Sequence, residues 1–289
     1  MNPGVWYAHC TRMLPNPFLD AAGRLRSGWW IAVFFVILAG LLLPLLLLAR
    51  GRGTEVSPVG QLAVVLAASS ICLMARREPL TRLLGPLDGR WVREFLLGGL
   101  GGVLMMVVPA LALHLAGVVS WRLDAGGAAA IWPEVALLGA AAATEELLFR
   151  GFLFRRLLEG LGTWPAQLII AALFVLTHSD ALRVLGSLGY LAGANIFLAS
   201  ILFGLAWLRT RSLAMPLGLH FAANATQGPV LGFGVSGAEG ARLLTPLPSG
   251  APDWLYGGTF GLEASVPGLV CVVALLAVLG CWRPRLPTS

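Results

Sequence analysis

Two carboxylates and a guanidinium stand together at Glu145, Glu146 and Arg150, inside a run that otherwise reads as membrane-spanning helix. A charged side chain at the centre of a bilayer costs roughly 2.5–3.5 kcal/mol on insertion scales, so three together require mutual pairing, a watery cavity or chemistry. Helical spacing sorts them. Glu146 and Arg150 lie at i, i+4 with the acid N-terminal to the base, the favoured orientation for a pair. Glu145 projects about 100° away, which leaves it as the uncompensated carboxylate, the one free to act as a general base.

Two later runs carry matching polar positions. Phe174 and His178 share a helix face at i, i+4, as do His220 and Asn224. Each has a plain structural reading: a His at a helix end is commonly structural, a His and Asn pair can serve interhelical hydrogen bonding, and the Glu and Arg charges can staple helices. Depth favours a joint role. At ~1.5 Å per residue, Glu145 lies about 15 Å in from Arg155, and His178 about 20 Å in from Trp164. His220 and Asn224 lie about 10 and 16 Å in from Leu213. All four could line one cavity open to the cytoplasm.

Such a set suits hydrolysis of an amide. Glu145, assisted by His178, would take a proton from water, and His220 and Asn224 would donate to the developing oxyanion. No Gly-x-Ser-x-Gly elbow, no cysteine beside the cluster and no His-Glu-x-x-His signature offers another route. Glu145, Glu146, His178 and His220 are also ligand types suited to zinc, a minority alternative to a site that works without a cofactor.

The elements that must position these groups are helices in a bilayer. Of 289 residues 57% are hydrophobic and 12% charged, a composition that predicts an all-α polytopic membrane protein. Apolar runs cover 29–49, 59–75, 95–119, 131–154, 164–178, 185–208, 213–231 and 264–282. These predict about eight transmembrane helices enclosing a polar cavity. The fifth is the shortest, about 22 Å against a ~30 Å hydrocarbon core. The first begins too late and runs too long for a cleaved signal peptide.

Placing the N-terminus in the cytoplasm puts Arg12, Arg24, Arg26, the five arginines from Arg76 to Arg93, Arg155, Arg156, Arg209, Arg211, Arg283 and Arg285 inside. Arg50, Arg52, Arg122, Arg183 and Arg242 then fall outside. The bias predicts cytoplasmic N- and C-termini. Short arginine clusters between apolar runs argue against nucleic acid despite the +6 net charge. The absence of lysine, with abundant Ala, Gly, Leu and Pro, reflects a GC-rich coding bias and points to a bacterial cell (inner) membrane. Cys10, Cys72, Cys271 and Cys281 form no disulfide framework. The Gly- and Pro-rich linker 232–263 reads as an outer loop. No fixed-period repeat or symmetry between halves is evident, so residues 1–289 read as a single membrane domain.

Glu145-Glu146-x-x-x-Arg150, Phe174-x-x-x-His178 and His220-x-x-x-Asn224, in that order on separate helices, resemble the three motifs of the CAAX protease and bacteriocin-processing family. Its eukaryotic members are the type II CAAX prenyl endopeptidases. The resemblance covers roughly 95–231, leaving the spans in 29–75 and 264–282 outside this core. It implies a glutamate-type intramembrane endopeptidase of eight helices. In it Glu145 activates water, His178 assists, His220 and Asn224 form the oxyanion site, and Glu146, Arg150 and Phe174 support. The implied partners are the lipid bilayer and a peptide or membrane-protein substrate. Two rival readings use the same residues: a non-enzymatic bacteriocin immunity or peptide-binding factor, and a proton-coupled carrier with Glu145 in a relay.

Overall fold

The computed structural model describes residues 16–19, 22, 23 and 25–282. Cys10, Arg12, Arg24, Arg283 and Arg285 of the charge and cysteine arguments lie outside them. The protein is an all-α polytopic membrane protein. Its helices are α1 (Ser27–Gly51), α2 (Pro58–Ala75), α3 (Thr81–Leu84), α4 (Gly89–Leu115), α5 (Gly127–Glu146), α6 (Phe154–Leu161), α7 (Thr163–Thr177), α8 (Ser179–Val184), α9 (Leu188–Thr210), α10 (Ala214–Ala225), α11 (Asp253–Tyr256) and α12 (Val266–Cys281). Among the described residues five helical stretches are long and apolar enough to cross a bilayer: α1, α2, 81–115, 127–161 and α9; α7 and α12 are shorter apolar helices. Each of the eight predicted runs overlaps a helix, and those at 95–119, 131–154 and 213–231 extend beyond the ends of α4, α5 and α10. Large apolar side chains such as Val36, Leu47, Met74 and Leu115 are exposed on outward faces, as a hydrocarbon solvent permits.

Helix ends follow local chemistry. Asp88 accepts a hydrogen bond from the Trp91 amide at 3.0 Å and starts α4 at Gly89, ahead of the apolar run. Gly162, at φ +81°, separates α6 from α7 and fixes the short length of α7. The buried face of α7 is Ala166, Gln167, Ile170, Ala171 and Phe174, a helical stripe turned to α9.

α4 and α10 form the most intimate helix pair. A Cβ on Gly98 would collide with the Met215 carbonyl, one on Gly102 with the Leu219 carbonyl, and one on Gly218 with the Phe95 carbonyl. Three glycines thus bring the backbones together, as small residues do in membrane helix packing. They fix the position of α10, which carries His220 and Asn224.

The linker 232–263 departs from a simple loop. Its strand β2 (Leu244–Pro248) pairs antiparallel with β1 (Val119–Leu123), from Val119 opposite Pro248 to Leu123 opposite Leu244. Val119–Leu123 alternates apolar and polar residues as a strand does, whereas Leu244–Pro248 contains Pro246 and Pro248 and carries no such signal. Part of the same linker folds inward: Gly261, at φ +98°, lies so close to Gly234 that a Cβ would strike its carbonyl oxygen. The glycines that read as loop residues allow this backbone contact.

Candidate active site

Glu145 and Glu146 close α5, and the chain continues through a π-helical turn, Leu147–Leu153, in which Gly151 leaves helical geometry at φ −75°, ψ −115°. Arg150 sits on this turn. A second π-helical turn, Thr226–Val230, follows Asn224, and the Leu231 amide bonds to the Thr226 carbonyl five residues back. Pro229 within it has no N–H to continue the α-helical ladder. π-turns are uncommon and cluster at functional sites; both here adjoin the motif residues.

The Glu146 and Arg150 pair is fully sunk, with the two side chains 1% and 0% exposed and Nη1 to Oε1 at 3.2 Å. Arg150 also donates through Nη2 to the Ser200 carbonyl at 2.9 Å and to its hydroxyl at 2.5 Å. Three aromatic rings surround the guanidinium, with Phe174, Phe203 and Phe149 centroids at 5.0, 5.4 and 5.7 Å. Buried charges persist only with such partners. Ser200 and Phe203, both on α9, were not identifiable from spacing.

Glu146 holds a second group. Nδ1 of His220 lies 2.9 Å from the same Oε1, so this nitrogen carries the proton that the carboxylate accepts. Its other nitrogen, Nε2, lies 3.8 Å from Glu145 Oε2, beyond hydrogen-bond distance. The ring is stacked on Phe203 at 4.8 Å and meets Phe174 edge-on at 6.1 Å. His220 therefore stands between the two glutamates, hydrogen-bonded to one and facing the other.

His178 caps α7 and is fixed differently. Its Nδ1 donates to the Phe174 carbonyl at 2.8 Å, and its ring lies 4.9 Å from that of Phe174. Occupying Nδ1 in this way leaves Nε2 as the nitrogen able to accept a proton. Phe174 thus touches His178, His220 and Arg150 together.

A cavity of about 200 Å³ is lined by Glu145, Phe174, His178, His220 and Asn224. Glu145 faces it with its side chain 33% exposed, whereas Glu146 lies behind. The cavity is closed by parts of the linker, including Val235, Ser236, Leu262 and Glu263. This bounds it at the end opposite the α1 N-terminus, a wall absent from the expectation of a cavity defined by spans alone.

Two wall residues went unpredicted. Glu263 accepts from the Ser236 amide at 2.8 Å and hydroxyl at 3.0 Å, and its carbonyl accepts from Asn195 Nδ2 at 2.8 Å. Burial pushes the Glu263 carboxyl up, against the opposing effects of His178, the Ser236 hydrogen bonds and His220. Asn195 was legible as an amide within an apolar run; Glu263, at the edge of a loop, carried no signal. Among the described residues no group of three or more His, Cys, Asp or Glu is arranged to hold a metal ion.

Residues 127–226 match the family model described as type II CAAX prenyl endopeptidase Rce1-like. No curated protein matches the chain. The matched stretch runs from the start of α5 to the second π-turn and contains Glu145, Glu146, Arg150, Phe174, His178, His220 and Asn224. It begins after α4, so it is narrower than the 95–231 core expected from the motifs. Residues 127–226 are thus similar to the Rce1-like type II CAAX prenyl endopeptidases, in line with the resemblance of the three motifs.

Proposed function

We propose that the protein is an intramembrane endopeptidase that hydrolyses a peptide bond in a peptide or membrane-protein substrate with a glutamate-activated water. The observation that carries this reading is the placement of Glu145, His178, His220 and Asn224, from three helices, around one small cavity. Glu145 takes a proton from water, with His178 Nε2 as the assisting acceptor, and the water oxygen attacks the scissile carbonyl. His220, protonated on both ring nitrogens so that Nδ1 stays bonded to Glu146, donates through Nε2, and Asn224 donates through its amide, to the oxyanion. Glu145 returns the proton to the leaving amine as the C–N bond breaks. Glu146 and Arg150 hold His220 in register and act as positioning residues. No cofactor enters the reaction.

The family match supports peptide hydrolysis, and the cavity's burial in the bundle supports a substrate presented within or beside the bilayer. The orientation proposed is cytoplasmic N- and C-termini in a bacterial cell membrane. Incubation of the detergent-purified protein with a peptide library, read by mass spectrometry, tests the activity with Glu145→Ala as the blank. New fragments with wild type alone support the reading. Fragments equal in both samples, or in neither across libraries that include membrane-inserted segments, contradict it.

A further inference from the structure

A large cavity lined by charged groups lies away from the candidate active site, between the N-terminal end of α1, the α2–α3 connection and α6. Its volume is about 1310 Å³. Arg26, Arg76, Arg82 and Arg156 line it against Glu78 and Glu159, two more cations than anions among the described residues.

The centre of this cluster is Arg156, only 1% exposed. Its Nη2 is paired, 2.7 Å from Glu159 and 3.5 Å from Glu78. Its Nε and Nη1 have no hydrogen-bond partner among the described residues. A buried guanidinium with two idle donors is costly, and each of them can donate to a phosphate oxygen. Glu78 relieves the cluster only in part: its Oε1 accepts from Arg76 Nε at 2.7 Å, and its Oε2, 3.5 Å from Arg156 Nη2, has no hydrogen-bond partner among the described residues. Burial opposes ionisation of Glu78, but Arg76, Arg156 and Arg82 together hold its carboxyl below the usual range, which reports the excess positive field. Arg82 forms no ion pair among the described residues. Trp30 lies beneath Arg76, ring centroid to guanidinium 5.2 Å, a pairing suited to the headgroup level of a bilayer.

We propose that this cavity binds a phosphate group, that of an anionic phospholipid headgroup at the membrane surface, with Arg156 and Arg82 as its principal donors. The site serves attachment and stability and stands apart from the candidate active site. Its failure would leave the proposed peptidase reading untouched.

Native mass spectrometry of the detergent-purified protein with phosphatidylglycerol, phosphatidylcholine or inorganic phosphate tests it. The expected result is retention of phosphatidylglycerol over phosphatidylcholine. Loss of one arginine should weaken it about fivefold, in both Arg156→Gln and the more exposed Arg82→Gln. Arg82→Gln keeps the test open if Arg156→Gln fails to fold. Binding of inorganic phosphate without phosphatidylglycerol preference, lost in the same variants, would keep the phosphate site and overturn the lipid as its source. Equal retention of the two lipids with no phosphate binding, or phosphatidylglycerol binding unchanged in Arg82→Gln and Arg156→Gln, would overturn the site.

Discussion

His220 is tied to Glu146 through Nδ1 at 2.9 Å, across 74 residues of sequence and between two helices. The same carboxylate oxygen receives Arg150 at 3.2 Å. One glutamate therefore fixes both a ring that faces the cavity and the cation that neutralises it, while its neighbour Glu145 remains turned to the cavity.

Removing Glu146 strands a buried cation. Glu146→Ala should destabilise the protein by about 3–5 kcal/mol, the range for breaking one side of a buried pair. Thermal unfolding in detergent measures this. Glu146→Ala combined with Arg150→Met should recover part of the loss, because no unpaired charge is then left inside. An additive double variant would contradict the pairing.

The close approach of α4 and α10 is a second point of control. Gly102→Leu forces the helices apart at the Leu219 carbonyl and should cost about 1–3 kcal/mol. A displacement of about 1 Å at reacting groups can reduce rate on the order of 10²-fold. Gly99→Ala, where a Cβ meets nothing closer than 3.9 Å, should leave both stability and cleavage unchanged. Equal effects of the two substitutions would refute the role assigned to the glycine contact.

Glu263 makes stability depend on pH with a definite sign. A carboxyl whose folded pKa is raised prefers its proton in the folded state. Its penalty is absent below the ordinary value near ~4.3 and grows as pH rises toward the folded value. Wild type should lose unfolding temperature over that rise, and Glu263→Gln should lose less. Glu78, whose pKa is lowered, acts oppositely: its contribution is present above the ordinary carboxylate pKa and is lost as pH falls through the folded value. Identical pH profiles for wild type and Glu263→Gln would contradict this.

Metal removal separates the proposed chemistry from the zinc alternative. With Glu145 and water as the reacting groups, prior treatment with a strong chelator should leave the cleavage rate unchanged. Loss of activity restored by added zinc would require the site to be redrawn around an ion.

The features legible in the sequence were those that repeat locally. Hydropathy located the helices, and i, i+4 spacing paired Glu146 with Arg150, Phe174 with His178 and His220 with Asn224, because each relation lies within one helix. The His220 to Glu146 hydrogen bond was not legible, since it depends on how α10 is held by Gly98, Gly102 and Gly218 against α4. The π-turns after Glu146 and Asn224 follow from local backbone adjustment that hydropathy does not record. Glu263 was hidden for another reason: its loop reads as surface, and long-range contacts, Gly234 with Gly261 and Asn195 with the Glu263 carbonyl, fold it against the cavity.

The central claim is that Glu145, and not Glu146, activates the water. Its most direct test is the cleavage rate of Glu145→Gln beside wild type on one peptide substrate, with unfolding temperature measured on the same samples. Loss of a general base should lower the rate by about 10²–10⁴-fold, with the unfolding temperature little changed, since Glu145 lies at the cavity wall. A Glu145→Gln protein that cleaves at the wild-type rate would contradict the account.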